Sequence, residues 1–345
     1  MLTMRDIAKH VGVSVSTVSL VLNDRDSGRV KTEIAARVRE TATVMGYVPN
    51  QLARSLKTRQ THTIGMVADR VATVPFAGHM LGGAQQAAWL DGYLLLVIDT
   101  DGNDESQAPA VQSLLQRNID ALMIATAFHR EVEVPLVPSS IPVIVLDGRP
   151  TEADARADWV VPDEVQGART AVEHLLAAGH RRIGFCNVDA YPVAAALRRQ
   201  GYEEALRDAS VELDPSLVVV AGDAATRDGV RPALELLSRA DRPTAVFCFG
   251  DQIAMAVYQV AAQLGLRVPQ DLSVVGFDNQ QFVAEALAPG LTTVQLPHAA
   301  MGTWAAERAL RRVRGEQPGT PAEGVLMACP LVERDSVAAP AQGAS

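Results

Sequence analysis

The feature that most constrains this chain is the run Val13-Ser14-Val15-Ser16-Thr17-Val18-Ser19-Leu20-Val21-Leu22-Asn23. Val18, Val21 and Leu22 recur at the spacing of one helical face, so they predict a short helix with one buried stripe. Ser14 stands where a hydroxyl can accept an orphan amide of the first turn. Val15, Ser16, Ser19 and Leu20 then fall on another face, free to enter a major groove. Upstream, Thr3-Met4-Arg5-Asp6 has the order of a capping box, with Asp in place of the usual Glu. Met4, Ile7, Ala8 and Val11 give a first helix its stripe, and Gly12 supplies the tight turn between the two. Ile34, Val38, Ala42 and Met45 outline a third helix, which Gly46 and Pro49 stop. Such motifs place their second helix in DNA; the bland alternative is a three-helix module that binds protein.

Charge supports the first reading. Residues 1–60 carry ten Lys/Arg against five Asp/Glu, a net of +5, which leaves −14 for the rest of a 345-residue chain whose total is −9. A basic head on an acidic body is the footprint of a compact DNA reader joined to a domain that repels phosphate. The chain is long enough for more than one core. No apolar run approaches a membrane span and no secretory leader is visible, which predicts a cytoplasmic protein without a membrane partner. Cys186, Cys248 and Cys329 are odd in number, with no ligand spacing around them, and are expected to be reduced packing residues.

From residue 62 onward, short apolar runs alternate with helical patterns. Strands are expected at 63–68, 93–98, 121–124 and 142–146, with helices at 82–90 and 108–117. The pattern then restarts, as Arg182-Ile183-Gly184-Phe185-Cys186 echoes Thr63-Ile64-Gly65-Met66-Val67. Strands at 217–220, 245–249 and 273–277 then alternate with helices at 201–209, 229–238 and 253–263. Near-continuous apolar strands between helices imply parallel sheets covered on both faces. The restart implies two similar lobes.

Two ordered segments carry a resemblance. Asp6-Ile7-Ala8, Gly12-Val13-Ser14, Ser16-Thr17-Val18-Ser19 and Val21-Leu22-Asn23 precede Gly46-Tyr47, Pro49-Asn50 and Ala53-Arg54-Ser55-Leu56. In this order and spacing they resemble the lactose-repressor (LacI/GalR) family of bacterial transcription regulators. The likeness continues through Leu175–Gly184, Arg242–Phe247, Leu266–Pro269, Ser273–Asp278 and Leu291–Val294. It implies an all-α helix-turn-helix head and an α/β body of two parallel-sheet lobes, like a periplasmic binding protein. The expected divisions are a head over 1–48 and a hinge over 49–61. A body follows over 62–337, then a disordered tail over 338–345. Lobe 1 of the body takes about 62–162 and 293–326, and lobe 2 about 163–292 and 327–337.

The resemblance also implies the partners: a pseudo-palindromic DNA operator, a second copy of the chain, and a small-molecule effector between the lobes. A sugar is the family default and a purine or nucleoside the runner-up. For DNA it implies Thr3, Ser14, Val15, Ser16, Thr17, Ser19, Leu20 and Asn23 from the head, and Asn50, Ala53, Arg54 and Leu56 from the hinge. Leu56 would wedge between central base pairs and kink the duplex. Position 20 is commonly Arg in relatives; Leu20 can meet a thymine methyl or be a bland surface residue, so the operator should be altered. Lys31 stands where a Ser cap is usual for the third helix.

For the effector the resemblance implies Phe76, Asp163, Arg198, Asp251 and Asp278. An Arg and carboxylates can hold vicinal hydroxyls while an aromatic covers the ring. Ala224 stands where some relatives carry an aromatic, and Tyr191, Phe249 and Phe282 are candidate replacements. Other chemistry is not supported. Asp99–Asp104 hints at a calcium loop, but its Gly is misplaced and Ala110 stands where the bidentate Glu is needed. No phosphate-binding loop or nucleophile elbow occurs, and His174 and His180 lack metal-ligand spacing. The expectation is a regulator without enzyme activity, cofactor or metal; the rivals are a solute-binding protein and an α/β enzyme.

Overall fold

The structure, a computed structural model, describes residues 2–47, 60–74, 77–151, 156–316 and 321–341. The hinge residues Asn50, Ala53, Arg54 and Leu56, the aromatic Phe76 and the last four residues lie outside them. The chain forms two compact units, 1–61 and 62–345.

In the first unit, helices α1 (Met4–Val11), α2 (Val15–Leu22) and α3 (Thr32–Val44) close around Ile7, Val18, Val21 and Val38, all fully buried. The backbone N–H and the hydroxyl of Thr3 donate to Asp6 Oδ2 at 2.8 and 2.7 Å. These bonds hold the Asp6 carboxyl below its usual range. Gly12 ends α1 at φ 77°, a left-handed conformation that a side chain would strain. Ser14 Oγ accepts from the Thr17 amide at 3.1 Å, the cap read from the sequence, whereas Lys31 precedes α3 with no side-chain cap bond.

The second unit holds two six-stranded sheets. Lobe 1 contains β1 (Thr63–Asp69), β2 (Leu94–Asp99), β3 (Ala121–Val132), β4 (Val143–Pro150) and β5 (Asp158–Pro162). Lobe 2 contains β6 (Ile183–Val188), β7 (Val218–Ala221), β8 (Ala245–Cys248), β9 (Ser273–Asp278) and β10 (Thr292–Gln295). Two late strands complete them: β11 (Gly324–Met327) in lobe 1 and β12 (Leu331–Val332) in lobe 2. The orders are β11-β5-β4-β3-β1-β2 and β12-β10-β9-β8-β6-β7. Every pairing is parallel except β12 against β10. The restart in the sequence is thus a repeat of topology, in which β4 and β9 occupy equivalent places.

Helices cover both faces of each sheet, as buried parallel strands require. Helices α4 (Gly78–Leu90) and α5 (Gln107–Leu115) belong to lobe 1. Lobe 2 has α6 (Glu164–Ala177), α7 (Pro192–Asp208), α8 (Thr226–Leu237), α9 (Asp251–Gln263) and the single turn α10 (Gln281–Ala284). The chain then returns to lobe 1 with α11 (His298–Val313), whose Met301, Ala305 and Ala309 enter that lobe's core. Helices α4 and α11 cross so closely that a Cβ on Gly83 would strike the Ala299 carbonyl, and one on Gly302 the Met80 carbonyl.

Two expected boundaries move. Strand β10 pairs with β9, so lobe 2 keeps residues through Gln295 rather than ending at 292. Residue 338, expected to open a disordered tail, is tied down. The Ala338 amide donates to Ser273 Oγ at 3.1 Å, and its carbonyl lies 2.9 Å from His180 Nε2. These bonds satisfy the backbone N–H and C=O of Ala338. All three cysteines are buried and free. Among the described residues no helix is long and apolar enough to cross a membrane.

Candidate functional site

The carboxyl ends of strands from both sheets meet at one cavity of about 230 Å³. Open parallel sheets present ligands there, because loops leaving the strand ends diverge around a crevice. Lobe 1 contributes Phe128 and His129 from β3 and Asp147 from β4. Lobe 2 contributes Glu164 at the start of α6, Tyr191 just before α7, Arg198 on α7, Phe249 after β8, and Asp278 at the end of β9.

Arg198 is the hub. It is 3% exposed and its guanidinium is sandwiched between the rings of Phe249 and Phe277, 4.2 and 3.7 Å from their centroids. Its Nε donates to Glu164 Oε2 at 2.7 Å and its Nη2 to Glu164 Oε1 at 3.4 Å. Nη1 donates to the Phe249 carbonyl and lies 3.6 Å from Asp278 Oδ1. Burial opposes its charge, but the Glu164 and Asp278 carboxylates outweigh that and hold its pKa above the usual value. Burial in turn pushes the Glu164 and Asp278 carboxyls up, against the pull of Arg198.

Asp278 closes β9, and Asp147 lies within β4, the equivalent strand of the other sheet, where its pairing with β3 shifts register. Both hold left-handed backbone, with φ of 54° and 103°. Such conformations are rare outside Gly and Asn/Asp, and here both residues line the cleft. Thr126 Oγ1 anchors this turn by donating to the Asp147 carbonyl at 2.6 Å. The Asp147 side chain lies 3.6 Å from His298 Nε2, but its Oδ1 has no hydrogen-bond partner among the described residues, nor has either ring nitrogen of His129. His129 is 3% exposed, and burial lowers its pKa to about 4, so it is neutral near pH 7. Buried polar atoms without partners are costly; at the wall of a cavity they are donors and acceptors for a polar ligand.

Aromatic rings form the other wall. Phe128 of lobe 1 stacks on Tyr191 of lobe 2, with centroids 3.8 Å apart and planes 18° from parallel. Tyr191 is nearly parallel to Phe249 at 6.1 Å. The Tyr191 hydroxyl donates to Asp223 at 3.1 Å, and burial, followed by the Asp223 charge, pushes its pKa up to about 12.

Of the residues expected at the effector site, the cavity wall takes Arg198 and Asp278. Asp163 is displaced by its neighbour. Its carboxylate caps α6, accepting the Gln166 amide at 3.1 Å, and Glu164 is the acid that faces the cleft. Asp251 is fully buried behind the wall, accepting the Gln280 amide and the Thr293 hydroxyl, each at 2.6 Å. It braces the turn after Asp278, and burial with the nearby Asp278 charge raises its pKa well up. Phe76 lies outside the described residues. Tyr191, Phe249 and Ala224 line the cavity, whereas Phe282 is 83% exposed and away from it. Phe128, His129, Asp147 and Glu164 went unread. The one signal for Asp147 was the echo of Leu146-Asp147-Gly148 in Phe277-Asp278-Asn279.

On the head, Val15, Ser16 and Asn23 are exposed and Thr17, Ser19 and Leu20 half-buried, opposite Val18 and Val21. Thr3 and Ser14 sit at the starts of α1 and α2, where free backbone amides favour an anion.

Residues 3–50 match the family of bacterial regulatory proteins, lacI family, and residues 172–337 match a periplasmic binding protein-like domain. The ribose operon repressor of Haemophilus influenzae is 35% identical over 317 residues, covering 91% of this chain and 92% of that one. The HTH-type transcriptional repressor PurR of Photorhabdus laumondii is 32% identical over 339 residues, covering 98% and 97%. A crystal structure of a LacI family transcriptional regulator from Enterococcus faecium with bound ribose aligns with a TM-score of 0.64 at 25% identity, covering 80% of this chain and 99% of that one.

Proposed function

The chain belongs to the lacI family of bacterial regulatory proteins, and from that membership we propose that it is a transcriptional repressor switched by a small sugar held between its lobes. It works in the cytoplasm as a homodimer on a pseudo-palindromic operator, with two heads meeting two half-sites. Val15, Ser16 and Leu20 read base edges, while Thr3, Ser14, Thr17, Ser19 and Asn23 position the head on phosphates and sugars. Asn50, Ala53, Arg54 and Leu56 serve the minor groove. The observation that carries the sugar reading is the cavity itself. Arg198, Asp278, Asp147 and His129 offer polar atoms from two lobes, and Phe128, Tyr191 and Phe249 offer flat apolar faces.

A ligand that bonds Asp147 from one side and Arg198 or Asp278 from the other ties the lobes together, which couples effector binding to the arrangement of the heads. The near-parallel rings also suit a nucleoside base, which keeps a nucleoside effector as the second reading.

The test begins with selection of duplexes by the full chain, which should return a two-fold symmetric site whose affinity falls steeply with salt, by about −0.9 in log–log slope per phosphate neutralised. D-ribose and other free sugars, with adenosine beside them, are then titrated onto that complex. A sugar that shifts operator affinity supports the reading. Failure to enrich any symmetric site refutes the DNA assignment, and a response to adenosine alone replaces the sugar.

A further inference from the structure

The cavity wall is unbalanced in charge. Asp147, Glu164, Asp223 and Asp278 face it from four separate elements, against one guanidinium, that of Arg198. Arg198 is also largely spent, since Nε, Nη1 and Nη2 each already donate to protein acceptors. His129 is neutral near pH 7. Neither Arg70, over the Phe128 ring at 5.9 Å and 3.5 Å from Asp69, nor Arg149, over Trp159 at 4.8 Å with its buried Nε unpaired, lines the cavity. His298 lies 3.6 Å from Asp147 and is not in the cavity wall. Asp147 and Glu164 are each 2% exposed, so water screens them poorly.

We propose that this cleft admits only uncharged ligands, taking a free sugar or nucleoside and excluding its phosphorylated or acidic forms. The inference deepens the reading of the cavity as an effector site and rests on it. An added phosphate would enter a site that already buries carboxylates faster than it supplies cations, and among the described residues no guanidinium but that of Arg198 lines the cavity to hold it. The raised Glu164 and Asp278 carboxyls agree with this: burial already disfavours their negative charge. A regulator built this way reports the compound before any kinase has transferred a phosphoryl group to it.

The experiment is calorimetric titration of the full chain with two matched pairs, D-ribose against ribose 5-phosphate and adenosine against adenosine monophosphate. Whichever neutral partner binds, its phosphate should bind at least about 100-fold more weakly, the scale of one uncompensated like charge. Asp147→Asn should shrink that ratio by about ten-fold or more while affecting the neutral ligand less, which a loss of packing would not do. Glu164→Gln should shrink it too, by freeing Arg198; if that variant fails to fold, Asp147→Asn carries the test.

Equal affinity within the pair that binds, or tighter binding of the phosphate, overturns the inference and leaves an effector site of the opposite selectivity. Discrimination shown by adenosine but not ribose upholds it while removing the sugar reading. Inorganic phosphate is a probe that needs no known effector. Stabilisation of the chain by phosphate above chloride of equal ionic strength, lost in Arg198→Lys, would overturn the proposal directly.

Discussion

His129 offers the sharpest test of the site's geometry, because its buried ring makes stability depend on pH in a calculable way. Its pKa falls from 6.5 to about 4 in the folded chain, with burial the main cause and the charges of Asp147, Arg149 and Arg198 around it. A base whose folded pKa is depressed takes up protons more readily when unfolded. The stability it permits is therefore complete above pH 6.5 and is lost as pH falls toward 4. At about 1.4 kcal/mol per unit, the full loss is about 3 kcal/mol, of which about 2 kcal/mol is gone by pH 5.

Other groups have shifted pKa values whose directions add to this loss or oppose it. His180 is lowered by burial and adds to the loss, while the raised Glu164, Asp278 and Asp251 carboxyls act the other way. The difference between wild type and His129→Gln isolates the one ring. Melting of the full chain at pH 7.5 and pH 5 should show the wild type losing about 4–8 °C more than the variant, at about 2–4 °C per kcal/mol for a domain of this size. If both lose the same amount, His129 is not held neutral at the cavity wall, and the placing of β3 along the cleft is wrong.

Three further outcomes are expected. Tyr191→Ala removes the ring stacked on Phe128 across the lobes, so stopped-flow release of a bound effector should quicken by about 2- to 10-fold, the worth of one aromatic pair; unchanged release would mean the contact does not hold the cleft shut. Arg198→Ala leaves Glu164 and Asp278 buried without their cation and should cost about 3–5 kcal/mol in denaturant unfolding. A midpoint equal to wild type would contradict the ion-pair geometry. Ser14→Ala should speed amide exchange in the first turn of α2 by an amount equivalent to about 0.5–2 kcal/mol, and protection like the wild type's would show that Ser14 does not cap the helix.

The head was legible because its information is local. A cap, an apolar stripe and a turn glycine lie within twenty consecutive residues, so the order Thr3, Gly12, Ser14, Val18 and Val21 specifies both helices and the turn. The two-lobed body was legible because fully buried parallel strands read as apolar runs, and the runs restart. Shorter elements escaped: β5, β11 and β12 are too brief or too mixed to stand out, and helix α7 begins nine residues before its expected start at 201 because Ala-rich turns carry little periodicity.

The site was only half visible, for a different physical reason. Arg198 and Asp278 came with the resemblance, but which carboxylates face the cavity is decided by backbone direction. Asp163 and Glu164 are adjacent, and capping turns the first back onto its own helix while the second points across at Arg198. The reading of β3 stopped at Ile124, yet the strand runs on to Val132 through a change of register between Ala125 and Arg130, and that extension carries Phe128 and His129 to the cleft. Asp147 needs a left-handed turn that neighbouring residue types allow but do not demand. Sequence by itself determined which segments become helix and strand, because hydrophobic period and caps act within a few residues. Only the packing of two sheets, with the chain crossing between them, decided that four acids, one arginine and three aromatic rings from distant segments share one wall.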